Sequence, residues 1–432
     1  MLQSGLSLGF RKFVAMQKFF KSLGPGILFA STAIGVSHLV QSTRAGADYG
    51  FGLLWAVILA NVLKYPFFEY GARYASATGE SLIDGYKRIG RWMLLLYLGI
   101  TLASMFFVSA AVGAVTAGFM HQLFGLEKIL STQMSTALVF ILCIGILMIG
   151  RYKVLDRLIK IVGSVLLIST LSAFFISIWQ GPKSHDFTFF SPEVLEPSSA
   201  GFLFLIALMG WMPTALDLST WSSLWTIARA KESGYSPSFK ETINEFRFGY
   251  WLSAFLAPCF LVLGAFLVYG TGQTLQTDSA GFANDIINLY TKNIGEWSEI
   301  LIAASAFSIM FGTCIAVFDG YARAGRRVII LLQNKEELHQ PNHRLYSVLL
   351  LAIGLGALSI YYFFGSSLKS LVDIATSISF VIAPIIAVVN FRLVLNLENK
   401  SARPGITLRW LSYLGIVFLS AFSLIYLLSQ FL

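Results

Sequence analysis

Charge is what this sequence has least of. Asp, Glu, Lys and Arg make up 12% of its 432 residues, where soluble domains carry roughly a quarter, and 56% of the chain is hydrophobic. That balance excludes an ordinary soluble protein and leaves an integral membrane protein. Cysteine is scarce too: Cys143, Cys259 and Cys314 each sit inside an apolar run. Their spacing suits neither a disulfide framework nor a zinc site, so they read as small buried hydrophobes. No phosphate loop, paired CxxC, HExxH or nucleophile elbow is present, so neither ATP-driven transport nor intramembrane hydrolysis has support, and no cofactor is implied. The lead, residues 1–23, is basic and carries Phe10, Phe13, Phe19 and Phe20 without a small-residue cleavage site. It reads as a segment lying on the cytoplasmic membrane surface rather than a cleaved signal peptide.

Segments long enough to cross about 30 Å of hydrocarbon fall at 24–45, 50–75, 92–121, 132–150, 154–179, 200–227, 246–270, 297–321, 345–364, 371–394 and 407–431. They predict one transmembrane domain over 24–432. With the N-terminus in the cytoplasm, 25 Lys and Arg residues fall on the inner side and 5 outside, namely Arg44, Lys128, Lys183, Lys292 and Lys369, with Lys64 inside a span. This bias predicts N-terminus in and C-terminus out. It also accounts for the net charge of +9 without nucleic acid. The short loops fit a bacterial inner membrane and a chain working as a monomer in the bilayer. The outer loop 272–297 carries Asp278, Asn284, Asp285 and Asn288 among Phe282, Ile286, Ile287 and Leu289, a spacing that predicts a short amphipathic helix, either a lid or a plain surface element.

Two stretches organise the chain. From Gly24 to Ala47 the sequence is apolar enough for a bilayer, yet Ser31 to His38 is small, polar and weakly helix-forming; a second such interruption runs from Trp211 to Thr220 around Pro213. A freed backbone survives at membrane depth only where it faces protein or a water-filled cavity, and paired broken helices mark the binding sites of inverted-repeat transporters. The expectation is an all-α membrane protein with a LeuT-like 5+5 inverted repeat, 24–179 and 200–394, plus one extra helix at 407–431, helices 1 and 6 being broken.

The polar residues at membrane depth each have two readings. Asp217 is either a functional carboxylate or the N-cap of the half-helix after the break. His38 is either a ligand or proton carrier or packing. Gly35, Ser37, Ser31, Thr32, Thr214, Ser219 and Thr220 either line a cavity or pack helices together. Glu69 and Arg73 stand at i,i+4 on one helix face, as a buried pair, with Lys64 coupling to Glu69 or to Asp217 as the alternative. Asp373, near Thr376 and Ser377, is a further coupling candidate, and Asp319 beside Arg323 reads as a salt bridge at the interface.

The first 80 residues resemble the NRAMP family of divalent-metal transporters: Gly24-Pro25-Gly26, Ala45-Gly46-Ala47, Tyr49-Gly50-Phe51-Gly52-Leu53-Leu54-Trp55, Leu59-Ala60-Asn61 and Ala77-Thr78-Gly79 match its entrance pattern in order, and Met212-Pro213 matches its sixth-helix motif. The family's Asp-Pro-Gly-Asn is here Gly35-Val36-Ser37-His38, and its Met-Pro-His is Met212-Pro213-Thr214. The acidic third-helix positions associated with proton movement fall on Phe107 and Ala110, which argues against proton coupling. The resemblance implies a central site around Gly35, Ser37, His38, Met209, Met212, Thr214 and Asp217, with His38, Met212 and Asp217 as a relocated metal set. A dication needs compensating charge and prefers carboxylate and carbonyl oxygens, and only Asp217 supplies a carboxylate at the breaks. The leading expectation is therefore an altered divalent-metal transporter or facilitator working by alternating access. The alternatives are the same fold carrying a small organic or anionic solute, and a receptor or channel-like protein that no longer cycles.

Overall fold

The computed structural model describes residues 25–149, 152–184, 189–197, 199–233, 237–334, 343–364 and 367–431; the expected surface lead, 1–23, lies outside them. Among the described residues every regular element is a helix. The first expected span comes in pieces: α1 (Pro25–Ala33), a π-helical turn (Ser37–Ser42) and α2 (Thr43–Tyr49). Between the first two, the Gly35 N–H turns back to the Ala33 carbonyl at 2.9 Å and the α ladder is interrupted. There follow α3 (Leu54–Thr78), the short α4 (Leu82–Ile89), α5 (Arg91–Phe124), α6 (Thr132–Ile149) and α7 (Tyr152–Gln180).

The second half repeats the plan. Helix α8 (Ala200–Gly210) stops at Trp211, and α9 (Leu218–Ser233) resumes after the break. Then come α10 (Phe239–Leu267), α11 (Ser279–Ile294), α12 (Glu299–Leu332), α13 (His343–Phe364), α14 (Leu368–Leu395) and finally α15 (Ile406–Ser429). Seven of these, α5, α6, α10, α12, α13, α14 and α15, are long and apolar enough to cross a membrane. Helix α3 runs 25 residues but carries Lys64, Glu69 and Arg73. The amphipathic segment of the outer loop is α11, capped by Asp278, whose carboxylate accepts from the Gly281 N–H at 2.9 Å. Its apolar face, Phe282, Ile286, Ile287 and Tyr290, is buried against α5 and α7.

Helix partners are reciprocal between the halves. The broken helix of each half packs on the second helix of the other: α1 and α2 on α10, and α9 on α3. The third helices α5 and α12 pack on each other, and each also meets the fifth helix of the opposite half, α5 with α14 and α12 with α7. A two-fold exchange of halves reproduces these pairs, as an inverted repeat requires. Helix α15 stands outside this exchange, against α14 and α3.

Glycine brings the broken helices this close. A Cβ on Gly46 of α2 would sit 1.9 Å from the Leu261 carbonyl oxygen of α10, one on Gly264 would sit 2.1 Å from Thr43 O, and in the other half one on Gly71 of α3 would sit 2.1 Å from Ser219 O of α9. Small residues that let backbones touch are the main source of helix association in lipid. Gly46→Ala and Gly71→Ala are expected to lower the thermal unfolding midpoint of detergent-solubilised protein, with overpacking costing about 1–3 kcal/mol. Gly99→Ala, which meets nothing within 4 Å, is expected to leave the midpoint unchanged.

Candidate functional site

A cavity lies where the two breaks meet the third helices. Thr32, Ala33, Val36 and Ser37 line it from the first break, Trp211, Thr214, Ala215, Leu218 and Trp221 from the second, and Val108, Val112, Thr313 and Val317 from α5 and α12. Its volume is about 30 Å³, room for roughly two waters. The walls offer hydroxyls and indoles but no carboxylate. Trp211 donates its Nε1–H to Ser379 Oγ at 2.9 Å. The Nε1–H of Trp221, by contrast, is buried without a partner among the described residues, and an indole nitrogen is a donor only.

The residues expected to form the site are brought near the breaks but not onto one centre. Ser37 and Thr214 line the cavity. Gly35 lies against Thr313, whose Oγ1 would stand 3.0 Å from an added Cβ. His38 is fully buried and turned towards α10: Nε2 donates to the Ser253 carbonyl at 2.9 Å and Nδ1 is 2.8 Å from Ser37 Oγ. Met212, joined to Pro213 by a cis peptide bond, has its sulfur 3.9 Å from Ser42 Oγ. Asp217 accepts at Oδ2 from Ser104 Oγ of α5 at 3.2 Å and from Tyr321 of α12 at 3.4 Å. Among the described residues no three His, Cys, Asp or Glu side chains converge as a metal would need. At the two third-helix positions, Ala110 is buried, and Phe107 meets the Phe364 ring at 5.9 Å.

Lys64 is fully buried, and its ammonium donates to the carbonyls of Met209 at 3.1 Å, Gly210 at 2.9 Å and Thr214 at 3.0 Å. It makes no direct ion pair with Glu69 or Asp217, although the Asp217 carboxylate is near enough for the two charges to act on each other. Met209 enters the site through that carbonyl, while its side chain is core.

Ion pairs hold both ends of the bundle. At one, Arg44 of α2 grips Asp373 of α14 with two bonds, 2.8 and 3.1 Å, the geometry that makes such pairs strong. Gln41 joins both partners, and the guanidinium lies 4.6 Å from the Phe204 ring centre. A hollow of about 390 Å³ beside it is lined by Arg44, Asp48, Tyr49 and Lys369. At the other end Glu69, fully buried, receives Arg73 at the expected i,i+4 spacing, and also Arg247 at 3.0 Å and the Tyr65 hydroxyl. Arg73 continues to the Ala402 carbonyl at 2.6 Å. Asp319 pairs with Arg323 at 2.7 Å and accepts from Trp225 at 3.0 Å. The Arg44 pair, the Trp211 and Trp221 walls and the residues supplied by α5 and α12 were not expected. Arg44 entered only as a loop charge, and Val108, Val112, Thr313 and Val317 carry no local signal beyond apolar helix.

The Arg44–Asp373 pair bridges α2 and α14 at this end. In a variant with the three native cysteines replaced, Asp373→Ala is expected to raise the rate at which an impermeant thiol reagent labels Ser37→Cys roughly tenfold, a bias of ~1.4 kcal/mol, and adding Arg44→Ala is expected to contribute little more.

A family model described as natural resistance-associated macrophage protein-like matches residues 26–429. An uncharacterized protein of Pasteurella multocida is 36% identical over 419 residues, covering 95% of this chain and 93% of that one. A divalent metal cation transporter of Verminephrobacter eiseniae is 27% identical over 206 residues, 45% of this chain and 44% of the other. Among solved structures, a point mutant of the Eremococcus coleocola manganese transporter superposes with a TM-score of 0.70 at 13% identity, covering 96% of this chain and 91% of that one. MhsT in complex with L-phenylalanine superposes at 0.61 and 14% identity, covering 94% and 98%. Two broken helices, reciprocal packing of two five-helix halves and a match over nearly the whole length lead to one conclusion: the chain belongs to the Nramp family of membrane transporters, built on the LeuT-like fold, and is not an enzyme.

Proposed function

We propose that this chain is a secondary transporter working by alternating access through the cavity between its two breaks, and that its cargo is a small organic anion. The observation that carries the reading is the lack of any carboxylate among the described residues that line the cavity. The Thr32, Ser37 and Thr313 hydroxyls give their protons to the Leu28, Ala33 and Ser31 carbonyls, which leaves the Thr214 hydroxyl to donate, and α9 begins at Leu218 on the cavity wall, where a helix N-terminus carries partial positive charge. A dication would arrive without carboxylate compensation, at a cost of several kcal/mol, because Asp217 spends its Oδ2 on Ser104 and Tyr321. The basic-residue bias supports an N-terminus in the cytoplasm and a C-terminus outside, and the short loops suit a bacterial inner membrane, each copy carrying its own cavity.

A second reading, a divalent metal as cargo, is favoured by the relatives named as divalent metal cation transporters and by Met212 at the family position. The freed carbonyls and hydration water would then have to hold the ion with Met212.

Proteoliposomes separate the two. Saturable counterflow of a labelled carboxylate, chosen from a panel by thermal stabilisation of the purified protein, is expected, with Thr214→Val raising KM about fivefold for the loss of one hydrogen bond of ~1 kcal/mol. The enclosed metal-sensing dye is expected to stay silent for manganese and magnesium. A saturable metal signal that Asp217→Ala abolishes, with no carboxylate uptake, would reverse the order of the readings.

A further inference from the structure

The three carbonyls held by Lys64 have a common origin. Met209 and Gly210 end α8, and the last carbonyls of a helix have no intrahelical donor. For Met209 the reason is written in the sequence: the donor four residues on would be Pro213, which has no N–H. Gly210 looks towards Thr214, which lies in the break, and the Thr214 carbonyl belongs to the break itself, where the ladder restarts with Leu218 bonding to Ala215 instead. Three orphan oxygens at the negative end of a half-helix dipole make a cradle for a cation, and discontinuous helices commonly coordinate a coupling ion in such a place. Here the cradle is filled from α3. The ammonium has three N–H donors and meets three acceptors at 2.9 to 3.1 Å, with the Phe68 ring centre 5.9 Å away. Among the described residues no carboxylate lies within ion-pairing distance of it.

We propose that Lys64 is a built-in cation. It occupies a carbonyl cradle that would otherwise take a free coupling ion, so the second break keeps its shape with no dissolved cation bound there, and a chain lacking this side chain acquires a site for a small cation able to donate hydrogen bonds. The inference concerns the backbone of the break and holds for either cargo, so no cargo enters its test.

The test is the stability of purified Lys64→Ala and of Lys64→Met, which keeps the chain length and drops the charge. Both are measured in methylammonium chloride and in tetramethylammonium chloride at equal ionic strength. Methylammonium keeps three N–H donors; tetramethylammonium has none. Both variants are expected to unfold at a lower temperature than wild type, and Lys64→Ala to recover saturably in methylammonium alone, while wild type responds equally to the two salts. If Lys64→Ala is recovered folded only when extracted in methylammonium, that counts in favour as well. Equal behaviour of Lys64→Ala in the two salts, read as midpoint or as yield of folded protein, overturns the proposal, as do wild-type midpoints for both variants.

Discussion

A helix broken inside a membrane leaves carbonyls that lipid cannot satisfy, and the rest of this molecule depends on how those oxygens are met. At the first break the chain meets them locally, by a bend at Ile34 and Gly35 and a π-helical turn, with Thr313 reaching across from α12 to the Ser31 carbonyl at 3.3 Å. At the second break it imports a charge from α3. With those carbonyls taken by Lys64, the cavity wall consists of hydroxyls, two indoles, aliphatic side chains and the start of α9.

The architecture was legible because it follows from periodic, long-range constraints. Run length located the helices, and Pro213 and the Gly35 region located the breaks, since each removes a donor or weakens the ladder. The Glu69 and Arg73 pair followed from i,i+4 spacing. What stayed hidden was direction. Nothing in the sequence says that the His38 imidazole turns to the Ser253 carbonyl, that Asp217 faces Ser104 and Tyr321 rather than the cavity, or that Glu69 takes Arg247 as a second partner. Side chains within a few residues of a break leave it in different directions, and some of their partners lie more than a hundred positions away, as Ser104 does from Asp217.

Family position was informative in the same uneven way. It pointed to Met212 and Met209 at the second break, where the Met212 sulfur meets Ser42 and the Met209 carbonyl meets Lys64, though neither lines the cavity. It also drew a metal set onto His38, Met212 and Asp217, whose polar atoms are engaged by three separate neighbours. A homologous position transfers an address; the chemistry there depends on what else has changed.

The glycine crossings have a mechanical consequence. Where backbone touches backbone, as between Gly46 and Leu261 or between Gly71 and Ser219, neither helix of the pair can roll without a clash, which ties α2 to α10 and α3 to α9. Across the face of α5 and α12 the cavity wall is Val108, Val112 and Val317, with Thr313 adding a hydroxyl, yet beside it Tyr97 bonds to Thr220, Ser104 and Tyr321 bond to Asp217, and Thr313 bonds to the Ser31 carbonyl. Motion of the paired helices past α5 and α12 would part these hydrogen bonds, while the glycine crossings hold each pair together.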